Sequence, residues 1–167
     1  MQDKVIFFTG ATSGLGKVSA LKLAAEGETV VVLSRSKEKG RSLQQEFLSN
    51  YPNSKGCIEI LEGNLSSFKS LSKALDEFKE KYNRLDVLVN NAGIGGAQKS
   101  IFDISQAEIM DTLNVNYFGV WNGIRVFGKQ TITAGTPCAI YTVGSENSFF
   151  NAVINAPYVS GKYAVLG

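Results

Sequence analysis

The chain has 167 residues, of which 44% are hydrophobic and 19% charged, and this composition is sufficient for one buried core. Lys and Arg number 17 and Asp and Glu number 15, a near-neutral balance that argues against a nucleic-acid-binding protein. No apolar run is long enough for a membrane span, and the first residues do not resemble a secretory signal. We therefore expect a cytoplasmic protein.

Histidine is absent from the sequence, and cysteine occurs only at Cys57 and Cys138. Without histidine, a Ser-His-Asp triad, a His-ligated metal and a histidine base are excluded. The two cysteines lie in separate apolar runs, so we expect buried thiols rather than a disulfide framework or a zinc site, and we predict no metal centre. Any proton transfer must therefore use Tyr, Lys, Ser, Asp or Glu.

Short apolar runs alternate with helical patterns along the chain. Five runs are predicted strands, at 5–8, 30–33, 57–61, 87–89 and 138–143. The first, second and fourth are apolar at consecutive positions, which is typical of strands covered by helices on both faces of a parallel sheet.

Helices are predicted between these strands from apolar residues spaced three and four apart. The first helix has the stripe Leu15, Val18, Leu21 and Ala25 and ends at Gly27; the helix after the third strand has the stripe Phe68, Leu71, Leu75, Phe78 and Tyr82, with Ser66 or Ser67 as its N-cap. Two more are predicted at 37–51 and at 105–129. The alternation predicts one α/β domain, a Rossmann-type doubly wound parallel sheet.

A glycine-rich turn follows the first strand directly and leads into the first helix. Its glycines are Gly10, Gly14 and Gly16, and Thr12, Ser13 and Leu15 lie between them. Absent side chains allow a backbone to approach a pyrophosphate, and the N-terminus of the following helix offers unpaired N–H groups. A strand, turn and helix in this order are the context that a dinucleotide site requires. No Gly-Lys-Ser/Thr follows, so NTP hydrolysis is not supported.

Together with this turn, several motifs in fixed order resemble the classical short-chain dehydrogenase/reductase family. They are 90–93 (Asn-Asn-Ala-Gly), 115–119 (Val-Asn-x-x-Gly), Ser145, and a Tyr-x-x-x-Lys formed by Tyr158 and Lys162. The resemblance extends from Lys4 to the end of the chain. It implies that Asn91, Ala92 and Gly93 lie beside the adenosine part of a nicotinamide dinucleotide.

Tyr158 and Lys162 are four residues apart and would share one face of a helix. A phenol has an ordinary pKa of about 10, and a neighbouring ammonium lowers it. The pair therefore provides an acid or base without histidine. The resemblance adds three roles: Lys162 holds the nicotinamide ribose, Ser145 hydrogen-bonds the reacting oxygen, and Asn116 joins a water relay to the lysine. Ser148 is a rival to Ser145, and Asn114 and Asn122 are rivals to Asn116.

The end of the second strand predicts which cofactor is preferred. Sites for NAD place a carboxylate there, but this chain has Ser34 followed by Arg35, which can pair with a 2′-phosphate. We therefore expect NADP(H) as the preferred cofactor, with NAD(H) as the alternative. Asn64 and Leu65 stand where the family usually has an acidic residue and an aliphatic one, and the Asn64 amide oxygen can still accept a hydrogen bond from adenine.

The last residues lie inside the helix predicted to begin at Tyr158, whereas family members continue with a substrate-binding part. We therefore expect a single NAD(P)-binding domain, 1–167, that lacks the C-terminal part of the family fold. Phe149, Phe150, Val153 and Ile154 indicate an apolar pocket wall or, alternatively, ordinary loop packing. The resemblance also implies a homodimer or homotetramer. Trp121, Ile124 and Phe127, in the helix predicted at 105–129, would face either the core or a partner.

Two functions compete on this evidence. The first is a carbonyl reductase or alcohol dehydrogenase that acts on a small-molecule carbonyl or alcohol, with substrates from simple ketones to 3-oxoacyl thioesters and steroids. The second is a nucleotide-binding module without catalysis, acting as a sensor or a subunit surface. The intact set of Ser145, Tyr158 and Lys162 favours the first.

Overall fold

The structure is a computed structural model that describes residues 3–150 and 154–166. Five parallel strands form one sheet in the order β3-β2-β1-β4-β5. The strands are β1 Val5–Thr9, β2 Thr29–Ser34, β3 Cys57–Glu62, β4 Val87–Asn90 and β5 Ala139–Thr142. All five predicted strands are confirmed, and so is the α/β doubly wound class.

The described part of the chain also contains seven α-helices. They are α1 Gly14–Ala25, α2 Lys37–Asn50, α3 Phe68–Lys81, α4 Gln106–Leu113, α5 Gly119–Gly123, α6 Lys129–Ala134 and α7 Ala156–Ala164. Helix α7 begins two residues before Tyr158, since Pro157 fits the first turn of a helix.

Helices α4, α5 and α6 form one continuous helix, which we call the long helix. Two π-helical segments, Asn114–Phe118 and Ile124–Gly128, join its three parts. Ser105 caps it, in a capping box with Glu108. The long helix extends beyond its predicted end at Lys129, because the left-handed residue Gly135 that terminates it comes later.

The two faces of the sheet bury different side chains, because successive residues of a strand point in opposite directions. On one face Phe7 and Val31 pack with α3 and the long helix. On the other face Phe8 and Val32 pack with α1 and α2. The consecutive apolar residues of β1 and β2 are therefore all needed, as the sequence pattern predicted.

Three phenylalanines form the centre of the first face. The ring centroids of Phe7 and Phe127 lie 4.1 Å apart, and Phe78 meets both rings edge-on at 5.7 and 5.8 Å. All three side chains are almost fully buried. Because Phe127 comes from the second π-helical segment, this cluster fixes the long helix against the sheet.

The predicted apolar stripe of α1 is wrong in its first half. Leu15 is 85% exposed and Val18 is 51% exposed. The buried residues of this helix are Gly16, Ala20, Leu21 and Ala24. Small residues bring the helix axis close to the sheet, so the contact face follows side-chain size rather than hydrophobicity.

Other predicted positions also differ from expectation. Cys57 and Cys138 are half-buried rather than buried, and burial raises the pKa of the Cys138 thiol. On the long helix Phe127 faces the core, while Trp121 and Ile124 are exposed. Self-association through those two side chains stays a prediction.

The strand order reverses between β1 and β4, which are neighbours although β2 and β3 lie between them in the chain. The connections therefore leave in opposite directions at the carboxyl ends of β1 and β4. A crevice opens at such a point in doubly wound sheets, and ligands bind there. Thr9 and Asn90 end these two strands.

We predict that Phe127→Ala lowers the free energy of unfolding by about 3–5 kcal/mol, because it removes a buried ring that contacts two others. Ile132→Ala is the matched control, since Ile132 lies on the same helix and is 83% exposed. Its effect should stay within about 0.5 kcal/mol. Urea denaturation of both variants measures the difference, and equal losses would contradict the burial of Phe127.

Candidate active site

The glycine-rich turn lies against the chain that leaves β4. A Cβ on Gly10 would lie 2.5 Å from Ala92 Cα, and a Cβ on Gly16 would lie 2.3 Å from the Gly10 carbonyl oxygen. Neither distance is tolerable, so glycine is required at both positions. Gly10 also has φ +69° and Gly14 has φ +55°, in the left-handed region that favours glycine.

Asn91 clamps this turn to the sheet. Its Nδ2 donates to the carbonyl oxygens of Thr9 at 3.1 Å and Gly10 at 2.9 Å. Thr9 Oγ1 in turn accepts from the backbone N–H groups of Asn91 and Ala92 and donates to the Val89 carbonyl. The carboxyl ends of β1 and β4 are thereby held together around the turn.

Helix α1 begins immediately after the turn, at Gly14. Ser13 is its N-cap residue but makes no side-chain capping bond, and no acidic residue occupies the first turn. Among the described residues, the first N–H groups of α1 therefore have no side-chain acceptor, and they carry the positive end of the helix dipole. This arrangement suits an anionic group such as a pyrophosphate.

A cleft of about 430 Å³ lies over this edge of the sheet. Every residue predicted to hold the cofactor between Gly10 and Gly93 lines it, and these are Gly10, Thr12, Ser13, Gly14, Leu15, Gly16, Ser34, Arg35, Asn64, Leu65, Asn91, Ala92 and Gly93. Four further lining residues, Leu33, Gly63, Ile94 and Val115, were not predicted. Each is next in sequence to a predicted site residue. These four residues could therefore have been predicted by including the residues that flank the motifs.

Arg35 is exposed at the rim of the cleft, at the end of β2. Within the described part of the chain, its guanidinium has no hydrogen-bond or ion-pair partner. Ser34 is buried, and its hydroxyl donates to the Ser36 carbonyl at 2.8 Å, so its proton is already used. Ser36 Oγ accepts from the Lys39 N–H and keeps its own proton.

Asn64 lies at the opposite rim, after β3. Its Oδ1 accepts from the Ser66 N–H at 3.0 Å, and its backbone N–H donates to Ser70 Oγ. One lone pair of the amide oxygen is therefore used in the local turn, and one stays available for a ligand.

Lys162 is a charged residue of the site whose side chain lies in the interior. Its side chain is buried, and Nζ donates to the Val143 carbonyl oxygen at 2.7 Å. Nζ also lies 6.0 Å from the centroid of the Tyr158 ring. Burial lowers the pKa of Lys162. An ammonium carries three donors, and within the described residues only one of them has a partner, so two stay available for a ligand.

Asn116 is fully buried in the first π-helical segment of the long helix. Its Oδ1 accepts from the Ile94 N–H at 2.8 Å, and its Nδ2 donates to the Ile94 carbonyl oxygen at 2.8 Å. A Cβ on Gly93 would lie 3.5 Å from Asn116 Oδ1 and 3.7 Å from Lys162 Nζ. Asn116 and Lys162 thus flank the end of the cleft at Gly93.

The rival asparagines have different surroundings. Asn122 Nδ2 donates to the Leu65 carbonyl oxygen at 3.1 Å, which supports the chain beside the cleft rather than Lys162. Asn114 is half-buried. Of the three, only Asn116 is seen to approach the lysine.

The two candidate serines also differ. Ser148 is buried, and its hydroxyl donates to the Lys162 backbone carbonyl at 2.8 Å. Ser145 is half-buried, and its Oγ accepts from the Asn147 N–H at 3.2 Å. Since a hydroxyl has one proton, Ser148 has none left to donate, whereas the proton of Ser145 has no acceptor among the described residues.

Apolar side chains follow these serines. Phe149 is 62% exposed, Phe150 is 70% exposed and Ile154 is 51% exposed. These three side chains are therefore not packed onto the core in the way that the alternative prediction required. The predicted wall residue Val153 lies outside the described residues.

Across residues 3–150 and 154–166, no group of three or more Cys, Asp or Glu side chains forms a metal site. In the same part of the chain, no helix combines the length and apolarity needed to cross a bilayer.

Comparison with known proteins identifies relatives of this chain. The chain is 32% identical to a 3beta-hydroxysteroid dehydrogenase of Mediterraneibacter gnavus, over 99% of this chain and 58% of the relative. It is 31% identical to an NADPH-dependent pterin aldehyde reductase of Arabidopsis thaliana, over 98% of this chain and 65% of the relative. The chain therefore spans less than two thirds of the length of these relatives.

A solved structure has the same fold. It is an alcohol dehydrogenase from Thermococcus sibiricus complexed with 5-hydroxy-NADP, and it superposes with a TM-score of 0.86 at 25% identity, over 98% of this chain and 67% of the other. The family model described as short chain dehydrogenase matches residues 4–167. Because that match covers almost the whole sequence, the chain belongs to the short chain dehydrogenase family.

Proposed function

We propose that this chain carries the cofactor site and the catalytic groups of an NADP(H)-dependent oxidoreductase that interconverts a carbonyl and an alcohol. The observation that carries the proposal is the buried ammonium of Lys162, which lies beside the Tyr158 ring and flanks the end of the cleft at Gly93. Hydride transfer is the chemistry that a nicotinamide supplies when it is bound. The chain's own residues bind, orient and move a proton.

The cleft residues fit a dinucleotide by their donors and their shape. The N–H groups at the start of α1 receive the pyrophosphate, and Gly10 and Gly16 let the backbone approach it. Asn64 and Leu65 hold the adenine end. The two remaining N–H groups of Lys162 suit hydroxyl oxygens of a ribose near Gly93. Asn91 acts indirectly, because its side-chain amide holds the turn.

Tyr158 donates a proton to the reacting oxygen in reduction and accepts it in oxidation. The Lys162 ammonium lies beside this residue, with Nζ 6.0 Å from the centroid of the Tyr158 ring. The proton of Ser145 is available to hydrogen-bond the same oxygen. Asn116 orders the Ile94 backbone and leaves one N–H and one lone pair of its amide for a water beside Lys162.

The substrate is a small carbonyl or alcohol with an apolar body. Phe149, Phe150 and Ile154 support this class, because each exposes an apolar side chain in the segment between Ser145 and Tyr158. A 3beta-hydroxysteroid dehydrogenase and a pterin aldehyde reductase are among the relatives, so a test panel has to include both steroid and aldehyde carbonyls.

Tyr158→Phe tests the proton transfer. We expect turnover of NADPH with a panel of ketones, aldehydes and 3-oxosteroids to fall by at least about 10²-fold, because a positioned acid contributes that much. The Kd for NADP⁺ should change less than about twofold. Tyr163→Phe, on the same helix and 42% exposed, is the control and should keep turnover. If wild-type protein binds NADP⁺ but turns over nothing in the panel, the non-catalytic module becomes the better description.

Substitution of the two serines should affect different properties, turnover for Ser145 and stability for Ser148. Ser145→Ala should reduce turnover by about 10-fold to 10²-fold at unchanged thermal stability, since it removes a donor to the reacting oxygen. Ser148→Ala should instead lower the free energy of unfolding by about 1–3 kcal/mol, because the Lys162 carbonyl loses its buried partner. Turnover and urea denaturation are measured for both, and the reversed pattern would exchange their roles.

Arg35→Met tests the cofactor preference. A bidentate guanidinium–phosphate contact corresponds to about 10-fold to 10²-fold in Kd, so NADP⁺ binding should weaken by that factor and NAD⁺ binding should not. Arg41→Met is the control, because Arg41 is exposed on α2 and does not line the cleft. Calorimetric titration gives both constants, and wild-type protein that binds NAD⁺ as tightly as NADP⁺ refutes the preference.

A further inference from the structure

A groove of about 540 Å³ lies between α3 and the long helix, and we call it the basic groove. One face of each helix lines it, with the residues Phe68, Ser72, Leu75, Lys79, Arg125, Val126, Lys129 and Thr133. None of these residues lines the cleft proposed for the cofactor. The proposed function therefore gives the basic groove no role.

The basic groove is elongated. Both helices connect parallel strands of one sheet, so they run in the same direction. Phe68 and Arg125 meet at one end, where the guanidinium carbon lies 5.4 Å from the ring centroid. Lys79 lies about three turns and 16 Å further along α3, towards the other end.

The floor of the basic groove is apolar and its rim is positively charged. Leu75 and Val126 form the floor and are buried. Lys79, Arg125 and Lys129 form the rim and are exposed. Within the part of the chain that the structure describes, no carboxylate lies within 4 Å of these three cations, and no Asp or Glu lines the groove. Three positive charges are therefore uncompensated along one groove.

The second π-helical segment supplies part of the wall. It places Arg125 and Val126 in the basic groove, while the next residue, Phe127, points into the aromatic core. π-Helical turns are rare and occur frequently at functional sites. The first π-helical segment carries Asn116 of the proposed catalytic groups, but the second has no part in that site. The groove offers a role for it.

The shape of the basic groove distinguishes between classes of anion. A compact anion such as free phosphate requires cations that converge on one point, whereas these cations are spread from the Arg125 end to the Lys79 end. A long-chain carboxylate carries one charge, whereas the rim carries three. An amphipathic helix with apolar residues on one stripe and carboxylates beside it matches the floor, the rim and the length.

We propose that the basic groove docks an acidic amphipathic helix of a partner protein. Lys79, Arg125 and Lys129 contact its carboxylates, and Phe68 and Leu75 contact its apolar stripe. Phe68 is half-exposed beside an arginine, and exposed aromatic and arginine side chains are enriched among the residues that dominate binding energies.

The probe is a synthetic acidic helix of about four turns, with leucines on one stripe and glutamates beside it. A peptide of the same composition in scrambled order keeps the charge but loses the apolar stripe. The Kd of each peptide for the full chain is measured by fluorescence anisotropy at about 50 and 300 mM salt. We expect the scrambled peptide to bind at least about 10-fold more weakly, because it cannot fill the floor.

Two variants separate charge from apolar contact. The combined variant Lys79→Met, Arg125→Met and Lys129→Met should weaken binding of the acidic helix by about 10-fold to 10²-fold at low salt and less at high salt, as for three surface charge contacts. Phe68→Ala should weaken it by about fivefold to tenfold at both salt concentrations, because it removes apolar area without changing the charge.

The matched control combines Lys22→Met, Arg41→Met and Lys55→Met. It also removes two ammonium groups and one guanidinium from exposed positions, and none of the three residues lines the basic groove. Binding of the acidic helix should weaken by less than about threefold, because distant charges are screened. An equal loss in the control, or no preference of the wild type for the ordered peptide, overturns the proposal.

Light scattering tests the other occupant, which is a second copy of this chain. A wild-type dimer that the groove variant converts to monomers would assign the basic groove to self-association and overturn the partner helix. NADP⁺ affinity should stay within about twofold in the groove variant, since a change this small is below the loss of one contact. A wild type that binds no NADP⁺ would refute the proposed function but not the docking of the acidic helix. Thermal unfolding checks that each variant is folded.

Discussion

The hydrogen bonds between Thr9 and Asn91 are the constraint on which the rest of the site depends. They join the carboxyl ends of β1 and β4, which are adjacent only because the strand order reverses there. With those ends fixed, the glycine-rich turn has no space for side chains at Gly10 and Gly16. The close approach in turn aims the start of α1 across the cleft. The position of the anion site therefore follows from a few backbone contacts in the sheet.

A second set of contacts fixes the other end of the cleft. Asn116 holds both backbone groups of Ile94, and Lys162 is held by the Val143 carbonyl. The Ser148 hydroxyl donates to the backbone carbonyl oxygen of Lys162. Three segments that are distant in the sequence thus converge on one ammonium. Burying such a group without an opposite charge costs free energy, and the hydrogen bond to the Val143 carbonyl offsets part of that cost.

Much of this was predictable from the sequence, and the reasons are physical. The strands were predicted because a sheet covered on both faces needs uninterrupted apolar residues, as at Val30, Val31 and Val32. Thr12 was predicted from the glycine-rich motif and Arg35 from its position at the end of the second strand. The buried face of α1 was predicted wrongly, because the tight contact favours Gly16 and Ala20 over the larger Leu15. Ser145 was preferred to Ser148 because of its spacing from Tyr158 in the family resemblance, whereas the hydroxyl partners that distinguish the two serines depend on tertiary structure.

The π-helical segments had no signal in the sequence, yet one of them carries Asn116. A π-helical turn holds about one residue more than an α-helical turn. If residues 114–118 formed an ordinary α-helical turn instead, the residues after them would be rotated by about 100° about the helix axis, and Val126 and Phe127 would turn away from the sheet. The register of this helix therefore couples the polar end of the cleft, where Asn116 lies, to the aromatic core.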